Sequence, residues 1–128
     1  MGSPTEFAFV LPRGYCDAAG GIHREGAMRL ATAADEILPL QDFRVKSNRA
    51  YLVVLLLTRV VTRLGPLSGD EITPAVIEAL YSPDLAYLQE FYRHINEAGT
   101  ASVDARCPVC GTTLQVDVGT RTATQIAS

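Results

Sequence analysis

Apolar and polar positions change period several times along this chain, and each change marks a predicted element. Residues 6–11 (EFAFVL) alternate and carry two phenylalanines, the pattern of a half-buried strand. Pro12, Gly14 and the run Asp17-Ala18-Ala19-Gly20-Gly21 supply turn chemistry. Residues 22–30 (IHREGAMRL) can return as a second strand, with a bulge at Gly26 to reconcile its register. The N-terminal third therefore reads as a β-hairpin with a long tip, which must pack on something else to be stable. In residues 31–40, Thr32 can cap a short helical turn that carries Asp35 and Glu36 at its positive end and stops at Pro39. Residues 42–46 read as a connection.

The longest apolar run follows. Ser47 or Asn48 can cap a helix running to Leu64, with Gly65-Pro66 as its stop. Its centre, AYLVVLLLTRVV, is apolar on nearly every side, so the helix is expected to be buried in its domain or between subunits. The β-branched Val53, Val54, Val60 and Val61 would also allow a strand; length and end signals favour the helix. Thr73-Pro74 opens a short helix to Leu80, and Ser82-Pro83-Asp84 opens a longer one to about Ala98, closed by Gly99. In that helix Leu85, Leu88, Phe91, Tyr92 and Ile95 form one apolar stripe, a core face or a surface for a partner helix. Residues 101–106 and 112–118 alternate as strands about the knuckle Cys107-Pro108-Val109-Cys110-Gly111. The predicted fold is α+β: an N-terminal β-hairpin, a three-helix core with one long buried apolar helix, and a C-terminal zinc-knuckle-like hairpin. The corresponding units are residues 1–100, 101–118 and a flexible tail from 119 to 128.

Composition narrows the function classes. The 128 residues are 48% hydrophobic and 20% charged, a globular balance. A net charge of −3 and the lack of tryptophan argue against a nucleic-acid or anionic-membrane binder. The charge is uneven, +2 over residues 1–64 and −5 over 65–128, so the two halves could be complementary faces. The run Ala50–Leu57 is far shorter than the roughly 20 residues that span a bilayer. With no signal-peptide pattern either, a soluble cytoplasmic protein is expected.

Three cysteines do not suggest a secreted disulfide framework. The thiolates of Cys107 and Cys110, with Gly111 opening the turn, can grip a metal ion from a hairpin tip. A structural Zn²⁺ wants four ligands and the pair gives two. Cys16 and His23, near the N-terminal hairpin tip, are the candidates to complete it; His94 is a weaker one, and a site shared across a dimer is another solution. An unmetallated knuckle fits the pattern equally well. A redox role needs a helix after the first cysteine, where a strand is predicted. No GxSxG, P-loop or HExxH pattern occurs, and the neighbours Asp35 and Glu36 diverge by about 100° on a helix, so no enzyme is expected.

The segments FAFVLPRGYCDAAGGIHREGAMRLATAADEI, AYLVVLLLTRVVTRLG, ITPAVIEAL, SPDLAYLQEFYRHIN and CPVCG, in that order, cover about four fifths of the chain. Together they resemble the small phage tail assembly proteins, including those of contractile phage-like injection systems and of the T4-type baseplate assembly group. Cys16 stands where that pattern has an ordinary apolar residue, and the chain after Gly111 is short. The resemblance implies a non-enzymatic assembly factor or chaperone. Its partner would be a tail, baseplate or tape-measure protein, with homo-oligomers and incorporation into the particle left open. It carries over no active-site residues. The partner-binding candidates are the polar group Arg29, Asp35 and Glu36 and the helical residues Leu85, Leu88, Phe91 and Tyr92. The alternative is a zinc-dependent protein-binding adaptor or regulatory module working through CPVCG.

Overall fold

The computed structural model describes residues 6–106, 108–120 and 123–125. The alternating N-terminal segments form an antiparallel hairpin, β1 (Glu6–Cys16) with β2 (Ile22–Arg29). The irregularity expected at Gly26 lies on the opposite strand. Gly26 pairs regularly with Phe9, whereas β1 inserts extra residues between Val10 and Tyr15 against Arg24 of β2. Gly14 turns this bulge with φ +107°, a conformation that disfavours any side chain. Arg24 Nε donates to the Leu11 carbonyl (2.8 Å) and so fastens the bulge to β2.

Gly26 serves close packing instead. A Cβ there would lie 2.5 Å from the Arg63 carbonyl oxygen and 2.5 Å from the Phe9 ring. Gly26→Ala is therefore expected to cost about 2 kcal/mol, through overpacking against backbone that cannot withdraw. Thermal unfolding of the variant checks this.

The long helix is the main correction. A 3₁₀ turn at Arg49–Tyr51 leads into α3 (Leu52–Val60), which then gives way to a strand, β3 (Val61–Leu64). Periodicity could not separate the two states in a run rich in β-branched residues. What decides is the open side of β2: Val61 pairs with Met28, Arg63 with Ala27 and Leu64 with Gly26, and the hydroxyl of the bulged Thr62 donates to the Ala27 carbonyl. Gly65-Pro66 is then the tip of a hairpin to β4 (Leu67–Ser68), Gly65 taking the positive φ that a type II′ turn requires at its first central residue. Nor is α3 buried all round. Leu55, Leu57 and Val60 enter the core, while Leu52, Val53, Val54 and Leu56 are half-buried.

The other helices follow their end signals. The short helices α1 (Ala33–Ile37) and α2 (Phe43–Ser47) start at Thr32 and Asp42 caps. Thr73 caps α4 (Pro74–Glu78), and α5 (Ser82–Ala98) ends at Gly99. The apolar stripe of α5 lies across the sheet β1-β2-β3-β4. Phe9 meets the rings of Phe91 and Tyr87 edge-on at 5.8 and 6.5 Å, and those two stack on each other. Leu88, Phe91 and Ile95 join Leu11, Met28, Leu57, Val60 and Leu64 in the core.

The CPVCG segment joins β5 (Ser102–Arg106) to β6 (Thr113–Asp117), as its flanks suggested. Within the stretch expected to be a flexible tail, Ala123–Gln125 pair with β6 as β7. The turn after β6 is also fastened to the first sheet. Val10 N–H donates to the Gly119 carbonyl (2.9 Å), and the Tyr87 hydroxyl donates to the carbonyls of Val118 and Gly119. Among the described residues no helix is long and apolar enough to cross a membrane.

Candidate functional site

The polar group predicted around Arg29 is assembled, with Asp35 buried, Arg29 half-buried and Glu36 exposed. Thr32 caps α1 with Asp35 in a reciprocal capping box: Asp35 receives the Thr32 backbone N–H at 2.7 Å. The same carboxylate is only 2% exposed and takes a bidentate pair from Arg29 (2.6 and 3.0 Å). Arg59, from the last turn of α3, adds its Nε at 3.0 Å. The Arg29 guanidinium beside Asp35 holds its carboxyl far below the usual carboxylate range, and Thr32 and Arg59 act the same way against the opposing effect of burial. Arg29 also reaches the carbonyls of Leu30 and Arg59. Glu36 is exposed but accepts the Tyr92 hydroxyl (2.6 Å); burial first, and then this bond, push the Tyr92 phenol upward.

These residues therefore lock the end of β2, the start of α1, the end of α3 and the middle of α5 to one another. Of Arg29, Asp35 and Glu36, read from the sequence as a polar contact surface, Asp35 is buried and has no surface to offer. Leu88 and Phe91 are likewise core residues with no surface to offer, and Leu85 and Tyr92 are half-buried.

What the lock presents is apolar. After α1 the chain runs through a 3₁₀ turn at Leu38–Gln41 into α2, and Ile37, Leu38, Leu40 and Phe43 all stand in solvent, Phe43 at 79% exposure. Pro39 and Val45 are the anchors that turn inward. Sequence reading passed over this segment because its apolar residues follow neither a helical nor a strand period. Contiguous exposed apolar side chains of this kind mark protein–protein contact more often than chance.

A second buried carboxylate does structural work. Asp84, in the first turn of α5, is 0% exposed and accepts the backbone N–H groups of Arg13 (2.7 Å) and Gly14 (2.9 Å). It fastens the β1 bulge through Arg13 and Gly14, as Arg24 does through Leu11. The sequence showed Asp84 only as part of a helix start.

The described metal-ligand candidates do not converge. Cys16 stands opposite Ile22 and His23 opposite Tyr15, so successive pairs place Cys16 and His23 on opposite faces of the hairpin. His23 Nε2 lies 2.6 Å from Asp17, whose carboxylate also orders the tip by accepting the N–H groups of Ala19 and Gly21. The His23 contact is the main reason the Asp17 carboxyl lies below its ordinary value. Cys110 is exposed beside Thr112, its thiol 3.1 Å from that hydroxyl. Cys107 lies outside the described residues. Among the described residues no three His, Cys, Asp or Glu side chains are placed to hold a metal ion, so the three described members of the proposed set Cys107, Cys110, Cys16 and His23 are not brought together. His94 is 3.3 Å from the Ser102 carbonyl, a bond between α5 and β5.

Comparison with protein-family models, with curated proteins and with solved structures finds no match to this chain.

Proposed function

We propose that the chain is a non-enzymatic assembly factor for a tail, baseplate or tape-measure component of a contractile tail-like particle, and that it shields apolar surface on that partner until assembly. The observation that carries this reading is the exposed segment Ile37–Phe43 held on a rigid mount. Four apolar side chains are kept in water by a buried Asp35 with two arginines, at a cost that a partner surface would recover. The resemblance of the surrounding segments to tail assembly proteins supplies the class of partner. The contact surface differs from the one the sequence suggested: the α5 stripe belongs to the core, and the segment between α1 and α2 takes its place. The zinc-dependent adaptor reading rests on the CPVCG motif alone.

Co-expression with tail, baseplate and tape-measure proteins tests the proposal. The wild-type chain should raise the soluble fraction of one of them and co-purify with it. The double variant Leu40→Ser/Phe43→Ser should lose both effects while its melting temperature stays within about 2 °C, because both side chains are exposed. If no such component is solubilised or retained by the wild type, the proposal fails.

A further inference from the structure

Asp35 has more cationic partners than a buried carboxylate requires. The bidentate Arg29 already supplies a full opposing charge, and Thr32 adds its backbone N–H and its hydroxyl. Arg59 is a second guanidinium on the same carboxylate, and it spends only Nε there. Its two terminal nitrogens have no acceptor among the described residues, and its side chain is 38% exposed. The group is thus fixed in direction by one edge and left with its outward fork open, the arrangement that binds a second carboxylate two-pronged.

The surroundings of Arg59 fit an incoming side chain. Two clefts meet at Thr58 and Arg59. One, of about 360 Å³, has Leu38, Pro39 and Leu55 along it and is continuous with the exposed apolar segment. The other, of about 570 Å³, is lined by Arg29, Thr62 and Thr73. Asp70 lies on this second cleft but pairs with neither arginine. Arg29 and Arg59 share the one buried carboxylate of Asp35, while Glu36 is engaged by Tyr92 and Asp42, on the first cleft, by Arg44; the terminal nitrogens of Arg59 thus border a groove of mixed polar and apolar lining with no described carboxylate taking them.

Building on the assembly-factor reading, we propose that Arg59 is a carboxylate-recognition residue. A partner segment seats an apolar side chain along Leu38 and Leu55, and its neighbouring Glu or Asp bridges the outward nitrogens of Arg59. The partner surface is therefore apolar and acidic. The acidic residue supplies register and the apolar one area.

The test is a titration of the isotope-labelled chain, followed by NMR, with acetyl-Leu-Glu-Leu-amide, its Gln counterpart and inorganic phosphate. The Glu peptide should saturably shift the Arg59 Nε–H signal and the Leu38 and Leu55 methyl signals, with the Gln peptide at least tenfold weaker. Arg59→Met keeps the aliphatic stem, leaves Asp35 its pair with Arg29, and should erase the difference between the two peptides. Should that variant not fold, Arg59→Lys keeps the charge and should still weaken the Glu peptide several-fold. Equal binding of both peptides overturns the proposal. So does a response to phosphate with none at the leucine methyls, which would indicate a small-anion site, and so do shifts that grow with protein concentration alone, which would assign the groove to a second copy. In co-expression, an Arg59→Met chain that protects its partner as well as wild type removes this inference and leaves the assembly reading standing. A wild-type chain that protects none removes that reading, and the peptide titration still decides Arg59.

Discussion

Asp84→Ala is expected to lower stability by about 4 kcal/mol, since two charge-assisted hydrogen bonds to backbone, one buried and one partly buried, are lost together. In a domain of this size that is on the order of 15 °C in melting temperature. The size of the effect comes from what is left behind. The N–H groups of Arg13 and Gly14 point into the protein, and Gly14 cannot turn away without disturbing Ile22 and Arg24, which crowd it. Asp84→Asn should be nearly as damaging. One carboxylate oxygen serves each N–H, so the amide would set its own NH₂ against one of the two donors. A melting temperature for Asp84→Asn within a few degrees of wild type would show that the bulge does not depend on the charge.

Asp35→Asn should cost about 3 kcal/mol, because it leaves two guanidinium groups against a neutral amide at the junction of four elements. This variant also carries a pH signature. The folded carboxyl of Asp35 is depressed relative to an unfolded value near 4. Its contribution is therefore complete above about pH 5, and it is lost only as the pH falls below 4 toward the folded value. Wild type should lose stability steeply on acidification below pH 4. Asp35→Asn should start lower at pH 7 and fall less steeply over the same range. Chemical denaturation at a series of pH values measures both curves, and parallel curves would refute the assignment.

Where local chemistry decides the structure, it could be read from the sequence. The alternation of residues 6–11, the Thr32 cap, Thr73-Pro74 and the α5 stripe closed by Gly99 all act within a few residues, and all appear as expected. What escaped depends on distant partners. The change from helix to strand at Val60–Val61 needs the vacant edge of β2, more than thirty positions back. An aspartate in the first turn of a helix is ordinarily a solvated stabiliser of the helix dipole. That Asp84 is buried follows only from a bulge 70 residues earlier in the chain. Arg59, in the sequence merely a charge closing an apolar run, gains its role from Asp35 across 24 positions. The exposed segment Ile37–Phe43 was hidden for a different reason: apolar residues without a period give no local sign of facing water.

The bond from Val10 to Gly119 has a consequence for the newly made chain. Strand β1 lies at the outer edge of its sheet, and the turn after β6 is what covers it there. At ordinary synthesis rates, about 5–20 s pass between the emergence of one partner and the other. During that interval β1 offers unpaired backbone groups beside two phenylalanines, a template on which other extended chains can add. The turn after β6, made long after β1, thus works as a closing latch, and slowing its arrival should divert the nascent protein toward aggregation without altering any feature of the finished fold.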